Sequence, residues 1–361
     1  MNNSSTTNFI TGIRAIAILM VFLVHSNGGG LEDISSLGKT LVFWGRYGVE
    51  MFFVVSGFTI FYQLYKEKYS AIQFITVRYL RISIPYYPIL LIPFALMYFK
   101  FQEPIYWMNK FNGESIEIKN LIFHMLYTGG FNLKYINTLI GVEWTLYIEM
   151  MIYVLFFILV KFNLIKFNII NTFIFLVCAI IIQKYVSRYI KMEDLLYHWS
   201  IFKYMYMFFL GGLAFFFREK MNNISLYKLN KISDLSISFL IVIFFLNLTY
   251  NFFERYEIFF VLLTFLSIVF IRDSSSFSIL LNNRVFLFLG SISYSFYLWH
   301  TIVLGFNVFK LNILKEYIFF NFIYSFLLSI IISFLWYLFF ERYLYKKLKA
   351  YTLNKLKKNG V

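Results

Sequence analysis

The sequence predicts an all-α fold, a polytopic integral membrane helical bundle of about ten transmembrane helices with both termini cytoplasmic. Three observations carry that prediction. Hydrophobic residues make up 60% of the 361 residues and charged residues only 14%, against about half and about a quarter in a soluble domain. Apolar runs of bilayer-crossing length, about 20 residues, recur along the whole chain. The short polar and apolar alternation of a membrane barrel is absent. Aromatics at 23%, with 48 Phe and 29 Tyr, suit lipid-facing helices and interfacial belts. With 4 Pro and 17 Gly the chain is neither collagen-like nor low in complexity.

Taken in order, the apolar runs fall at roughly 9–27, 41–62, 83–99, 138–160, 165–183, 200–217, 233–250, 256–271, 285–309 and 317–340. The opening MNNSSTTN lacks the basic region of a signal peptide, so the first run is expected to persist as a helix. The longest polar interval, 100–137, contains LIFHMLYTGGF, too short to span and expected to be re-entrant or interfacial. No internal repeat or linker interrupts the pattern, so one integral domain is read over 1–345, followed by a basic cytoplasmic tail over 346–361. Lys and Arg are denser on the side that holds Lys66, Arg78, Arg81, Arg218 and this tail, which places both termini inside. The formal charge is +15. A basic tail directly after an apolar run reads as a topology determinant touching anionic membrane lipid, and no nucleic-acid partner is expected. The single cysteine, Cys178, excludes a disulfide framework and a thiolate cluster.

Ionisable groups inside apolar spans are costly and mark functional sites by default. Arg14 and His25 in GIRAIAILMVFLVHS are eleven residues apart, so they share one helix face about 16 Å apart along the axis. Each alone also fits snorkelling or helix capping. Arg78 and Arg81, just before the third span, share a face if that segment is helical, as a phosphate-binding guanidinium pair or as ordinary positive-inside anchors. Glu149 lies within the fourth span with Thr145 on its face, and Glu143 sits near that span's start. A buried Glu149 needs an Arg or a protonated His from another span, either as a salt bridge between helices or beside a general base. Ser293, Tyr297 and His300 line one face of the ninth span, either coating a substrate pocket or hydrogen-bonding between helices. His124 and His198 stand in polar segments, and four scattered His show no metal-ligand spacing, so no metal is expected.

These residues carry a resemblance. Arg14 to His25 is similar to the Arg, ten residues, His signature of the membrane acyltransferase-3 family, the bacterial integral-membrane O-acyltransferases. GVEMFFVVSGFTI resembles the family's Phe-Phe-x-x-Ser-Gly-Phe block, Arg78 and Arg81 its Arg-x-x-Arg pair, WTLYIEMMIY its Trp-Ser-Leu-x-x-Glu block, and SYSFYLWHTIVL its late Ser-Tyr-x-x-Tyr-Leu-x-His segment. The blocks occur in the family's order over about residues 8–345.

The resemblance implies a multi-pass protein of the bacterial cytoplasmic (inner) membrane that transfers an acyl group, commonly acetyl from acetyl-CoA as co-substrate, to a hydroxyl of a sugar in a surface polysaccharide or glycolipid. It implies His25 as the catalytic histidine, Arg14 and Glu149 as further catalytic residues, and Arg78 with Arg81 as the site for donor phosphates. Trp144, Tyr297 and His300 would then contact substrate. Met150 replaces the second acidic residue of many relatives, and the Pro that often follows the late His is missing from HTIVL. Some relatives add a soluble hydrolase-like domain; the form here is expected to act alone or to hand its acyl group to a separate partner. His25 is expected to serve as general base or as acylated nucleophile, both of which need neutral imidazole. The competing class is a transporter or flippase of lipid-linked glycans, for which the pseudo-repeats and paired broken helices typical of transporters are not found in the sequence.

Overall fold

The structure, a computed structural model, describes residues 8–101, 116–132, 134–189, 199–221, 226–250, 256–272, 275–305 and 317–358. Among them there are helices and no strands. The expected interval between the third and fourth spans is thus described only in part, and His198 lies outside the described residues.

The main helices follow the apolar runs. They are α1 (Asn8–His25), α2 (Ser36–Lys66), α3 (Ala71–Tyr98), α4 (Ile118–Met125), α5 (Glu143–Lys161), α6 (Ile169–Tyr189) and α7 (Ile201–Met221). Then come α8 (Leu226–Tyr250), α9 (Tyr256–Phe270), α10 (Arg284–Ser291), α11 (Ser293–Gly305) and α12 (Ile318–Lys358). Seven described helices are long and apolar enough to cross a membrane, and eight if α10 and α11, bent by 71° at their junction, form one broken span. The remaining two predicted runs are helical as α8 and α9. The protein is an all-α polytopic membrane bundle. The segment LIFHMLYTGGF forms only the eight-residue α4 and a short 3₁₀ turn, Gly129–Phe131; eight residues rise about 12 Å, too little to span.

Local chemistry sets the helix ends. Ser70 and Gln73 form a reciprocal capping box that starts α3 at Ala71 rather than near residue 83. Arg78 and Arg81 therefore lie inside this helix instead of just before it. The end of α1 is equally specific. After His25 the chain turns through Asn27, Gly28, Gly29 and Gly30, all at positive φ, from 51° to 89°. Three successive left-handed positions suit glycine alone, for which that region carries no Cβ penalty. The Ser26 hydroxyl donates to the Phe22 carbonyl at 2.7 Å, which also accepts the Ser26 N–H, and lies 3.3 Å from the Leu23 carbonyl, an acceptor of the last turn.

The core runs along α1, α2, α5 and α7, with Phe22, Phe53, Phe61, Tyr153, Phe156, Phe208 and Phe209 among its buried side chains. α2 and α7 approach until their backbones nearly touch. A Cβ on Gly211 would stand 2.1 Å from the Val54 carbonyl oxygen, and one on Gly57 2.2 Å from that of Phe208. Small residues permit this crossing, as at helix contacts in membranes generally. By contrast α6 and the first half of α12 turn Ile170, Phe173, Ile174, Ile181, Phe319, Phe320, Leu327 and Leu335 outward, which suits contact with hydrocarbon.

Candidate active site

One cavity of about 190 Å³ opens within the bundle, and its wall gathers residues from five helices: Arg14 of α1, Ser56 and Thr59 of α2, Arg78 and Arg81 of α3, Thr145, Glu149 and Tyr153 of α5, and Ser293, Tyr294 and Tyr297 of α11. Three guanidinium groups from two helices thus share one wall with a single described carboxylate, that of Glu149. Burying this much charge in a membrane protein is costly without pairing or water. The wall therefore carries an excess of positive charge.

Glu149 is held from two sides. The Ser56 hydroxyl donates to its Oε1 at 2.8 Å, and the Tyr153 hydroxyl, one turn further along α5, makes a very short bond to the same oxygen. Tyr153 also accepts from Arg78 Nη1 at 3.3 Å, while Arg78 Nη2 donates to Thr59 Oγ1 at 3.1 Å. Only 1% of Arg78 is exposed, and its guanidinium lies 5.0 Å from the Tyr153 ring centroid and 5.7 Å from that of Phe74. Arg78 is thus locked into α2 and α5. Arg14 and Arg81 are half-buried; each feels Glu149 and Glu341 as opposite charges, and Arg81 acts on Arg14 as a like charge.

Glu341 belongs to a π-helical stretch, Tyr337–Tyr345, within α12. Its Oε1 accepts from the backbone N–H of Ser295 at 3.1 Å and from the Ser295 hydroxyl at 2.5 Å, so it caps the N-terminal turn of α11 where the broken span restarts. The Ser293 hydroxyl donates back to the Gly290 carbonyl at 2.8 Å, tying the two halves of the break.

His25 does not appear in the wall of this cavity. It ends α1, half-buried, and its Nδ1 lies 2.9 Å from Nε2 of His300 on α11. His300 is fully buried, and its other nitrogen, Nδ1, lies 3.1 Å from the Phe296 carbonyl oxygen. Tyr297 links this pair to the cavity: its ring packs 5.8 Å from that of His300, and its hydroxyl meets Thr145 Oγ1 at 2.8 Å and donates to the Val142 carbonyl at 3.1 Å.

The structure thus brings Arg14, Arg78, Arg81, Glu149 and Tyr297 to one cavity, and seats His25 and His300 next to it. Glu149 takes its hydrogen bonds from Ser56 and Tyr153 while Arg14 and Arg81 act on it as opposite charges, so of the two partners expected for it the arginine is met and the histidine is not. His25 has His300 as its neighbour. Trp144 lies apart from the cavity, packed between Phe53 and Tyr204 with ring centroids 6.5 and 5.6 Å away. Glu143 folds back to accept the backbone N–H groups of Leu139, Ile140 and Val142, within 2.9 Å, and so organises its own loop. Sequence reasoning passed over Tyr153, Thr59 and Glu341. Tyr153 had a signal, its i+4 spacing from Glu149; Glu341 stands one residue beyond the predicted end of the last span.

A protein-family model described as an acyltransferase domain matches residues 7–342, nearly the whole chain. No curated protein and no solved structure matches it.

Proposed function

Since the chain belongs to this acyltransferase-domain family and is, in general terms, a multi-pass membrane acyltransferase, we propose that it transfers an acyl group, acetyl in the first instance, from acetyl-CoA to a sugar hydroxyl of a surface polysaccharide or lipid-linked glycan. The observation that supports this reading is the convergence of Arg14, Arg78 and Arg81 on one cavity beside the His25–His300 pair. Guanidinium groups are suited to bidentate, charge-assisted binding of phosphate oxygens.

The division of labour follows from burial. Arg81 and Arg14, less committed to protein partners, meet the donor's phosphates; Arg78 stands behind them, bracing Thr59 and Tyr153. The cavity of about 190 Å³ is smaller than the roughly 300 Å³ of an ordinary small-molecule pocket, so the donor enters with its extended arm while its nucleotide stays at the arginines. Arg14 and His25 are about 16 Å apart along α1, a length that an extended pantetheine arm covers. His25 then removes the proton of the acceptor hydroxyl as its oxygen attacks the thioester carbonyl carbon. Glu149, hydrogen-bonded by Ser56 and Tyr153, offsets the guanidinium charge when no donor is bound. The setting is the bacterial cytoplasmic membrane, with the phosphate end of the site on the cytoplasmic side and the glycan acceptor arriving from the other.

The test is release of free thiol from acetyl-CoA by the purified protein in proteoliposomes. Wild type is expected to release it and His25→Ala to lose release entirely. Absence of turnover by wild type with both acetyl-CoA and succinyl-CoA would overturn the CoA reading.

A further inference from the structure

We propose that His300 is a positioning residue that fixes the tautomer of His25 and so makes Nε2 the nitrogen of His25 that handles the acceptor's proton. The inference rests on the acyl-transfer reading above and adds to it the atom that reacts and the group that selects it.

The Phe296 oxygen can only accept, and His300 Nδ1 is 3.1 Å from it, so that nitrogen carries a hydrogen. Phe296 and His300 are four residues apart on α11, one above the other, so the helix itself sets the contact. A neutral imidazole has one N–H and one lone pair. His300 Nε2 therefore presents its lone pair, and it points at His25 Nδ1 from 2.9 Å. Two lone pairs cannot face each other at that distance. His25 Nδ1 must donate, and the lone pair of neutral His25 falls on Nε2.

Packing prevents His300 from turning to undo this order. Its ring lies parallel to that of Phe296, 10° between planes and 6.0 Å between centroids, with Phe22 edge-on at 6.4 Å and Tyr297 at 5.8 Å. His300 is fully enclosed while His25 is only half-buried, the arrangement expected of a support beneath a reacting group.

His25 Nε2 takes the proton of the acceptor hydroxyl while its oxygen bonds to the thioester carbonyl carbon. The carbon–sulfur bond then breaks, and the leaving thiolate takes the proton from Nε2. Throughout, the His25 Nδ1–H donates to His300 Nε2, which holds the ring in place and supports the transient imidazolium. A carboxylate commonly fills this place beside a catalytic imidazole; here the acceptor is a second, neutral imidazole.

The experiment combines ¹⁵N-histidine solid-state NMR of the protein in lipid bilayers with thiol-release kinetics. The chain has four His, so His25→Ala and His300→Leu assign the two signals. In wild type His25 is expected to be protonated at Nδ1 and unprotonated at Nε2. His300→Leu is expected to release that tautomer and to lower kcat about 100-fold, with KM for acetyl-CoA within about twofold of wild type. His300→Gln, whose side-chain oxygen can accept where Nε2 did, is expected to recover activity to within about tenfold of wild type. A His25 protonated at Nε2 alone, a doubly protonated His300, or a His300→Leu variant turning over at the wild-type rate would overturn the proposal. If wild type releases no thiol from any acyl-CoA, the acyl-transfer reading fails, while the NMR tautomer still decides whether His300 orders His25.

Discussion

Arg78 and Arg81 look equivalent in a motif, yet their surroundings predict opposite responses to the same change. Arg78→Lys keeps the charge but replaces a planar fork with a single ammonium, which cannot reach Thr59 Oγ1 and the Tyr153 hydroxyl together, now 3.1 and 3.3 Å from separate nitrogens. One hydrogen bond from a charged donor is lost, worth about 1.5–3 kcal/mol. Part of the attraction to the Tyr153 and Phe74 rings, about 0.5–2 kcal/mol when desolvated, goes with it. The sum is about 2–4 kcal/mol; at about 2 °C per kcal/mol for a large chain, the melting temperature should fall by about 4–8 °C. Arg81→Lys touches a half-buried residue and should move melting by no more than about 1 °C, while raising the KM for acetyl-CoA about tenfold through loss of bidentate phosphate binding. Both are read from intrinsic-fluorescence melting in detergent and from thiol release over a range of donor concentrations. An Arg78→Lys variant that melts like wild type, or an Arg81→Lys variant that melts early, would refute the assignment of Arg78 as brace and Arg81 as donor contact.

Two further outcomes follow from the packing and the loop chemistry. Gly211→Val places side-chain carbon where a Cβ already stands 2.1 Å from the Val54 carbonyl oxygen; backbone cannot yield as a flexible side chain does, so size-exclusion chromatography of the detergent extract should show loss of the monodisperse protein. His124, on α4 outside the membrane-crossing helices, is held below the usual imidazole range by burial, partly opposed by Glu143 and by the Asn120 carbonyl. The unfolded chain then binds a proton that the folded one does not, so the His124 contribution is intact above pH about 6.5. It is lost as pH falls below that value toward the folded pKa, with a slope of up to about 1.4 kcal/mol per pH unit. Melting curves from pH 7.5 to 5 should steepen in wild type and flatten in His124→Gln; parallel curves would count against it.

The parts of this site that could be read from the sequence are those governed by helical spacing. Arg14 and His25 share a helix, and so do Arg78 with Arg81 and Thr145 with Glu149, because the period of a helix converts sequence separation into position. The apolar runs were legible for the same reason, since bilayer thickness imposes their length. What stayed hidden depends on how helices pack. His25 and His300 are 275 residues apart, and no local pattern pairs them. Glu149 has the arginine charges expected beside it but takes its hydrogen bonds from two hydroxyls, a choice made by the rotation of α5 against α2. Glu143 reads in the sequence only as a residue near the start of its span, whereas in the fold it gathers N–H groups of its own loop and lies 3.5 Å from His124, visible only once that loop is folded. The start of α3 lies well before its apolar run because a polar signal sets it, the Ser70 and Gln73 capping box.

The π-helical stretch Tyr337–Tyr345 has a bearing on how this chain tolerates changes in length. A π turn holds one residue more than an α turn without a matching gain in rise, so the stretch stores surplus chain inside a helix. Removing one residue between Glu341 and Tyr345 lets the segment relax to ordinary α geometry, with the cap on Ser295 and the facing of the basic end of α12 both kept. Removing one from the α-helical part of α12 before Tyr337 instead turns Glu341 by about 100°, away from the N–H groups of α11. Two deletions of equal size, a few residues apart, thus divide a tolerated shortening from one that uncaps the broken span.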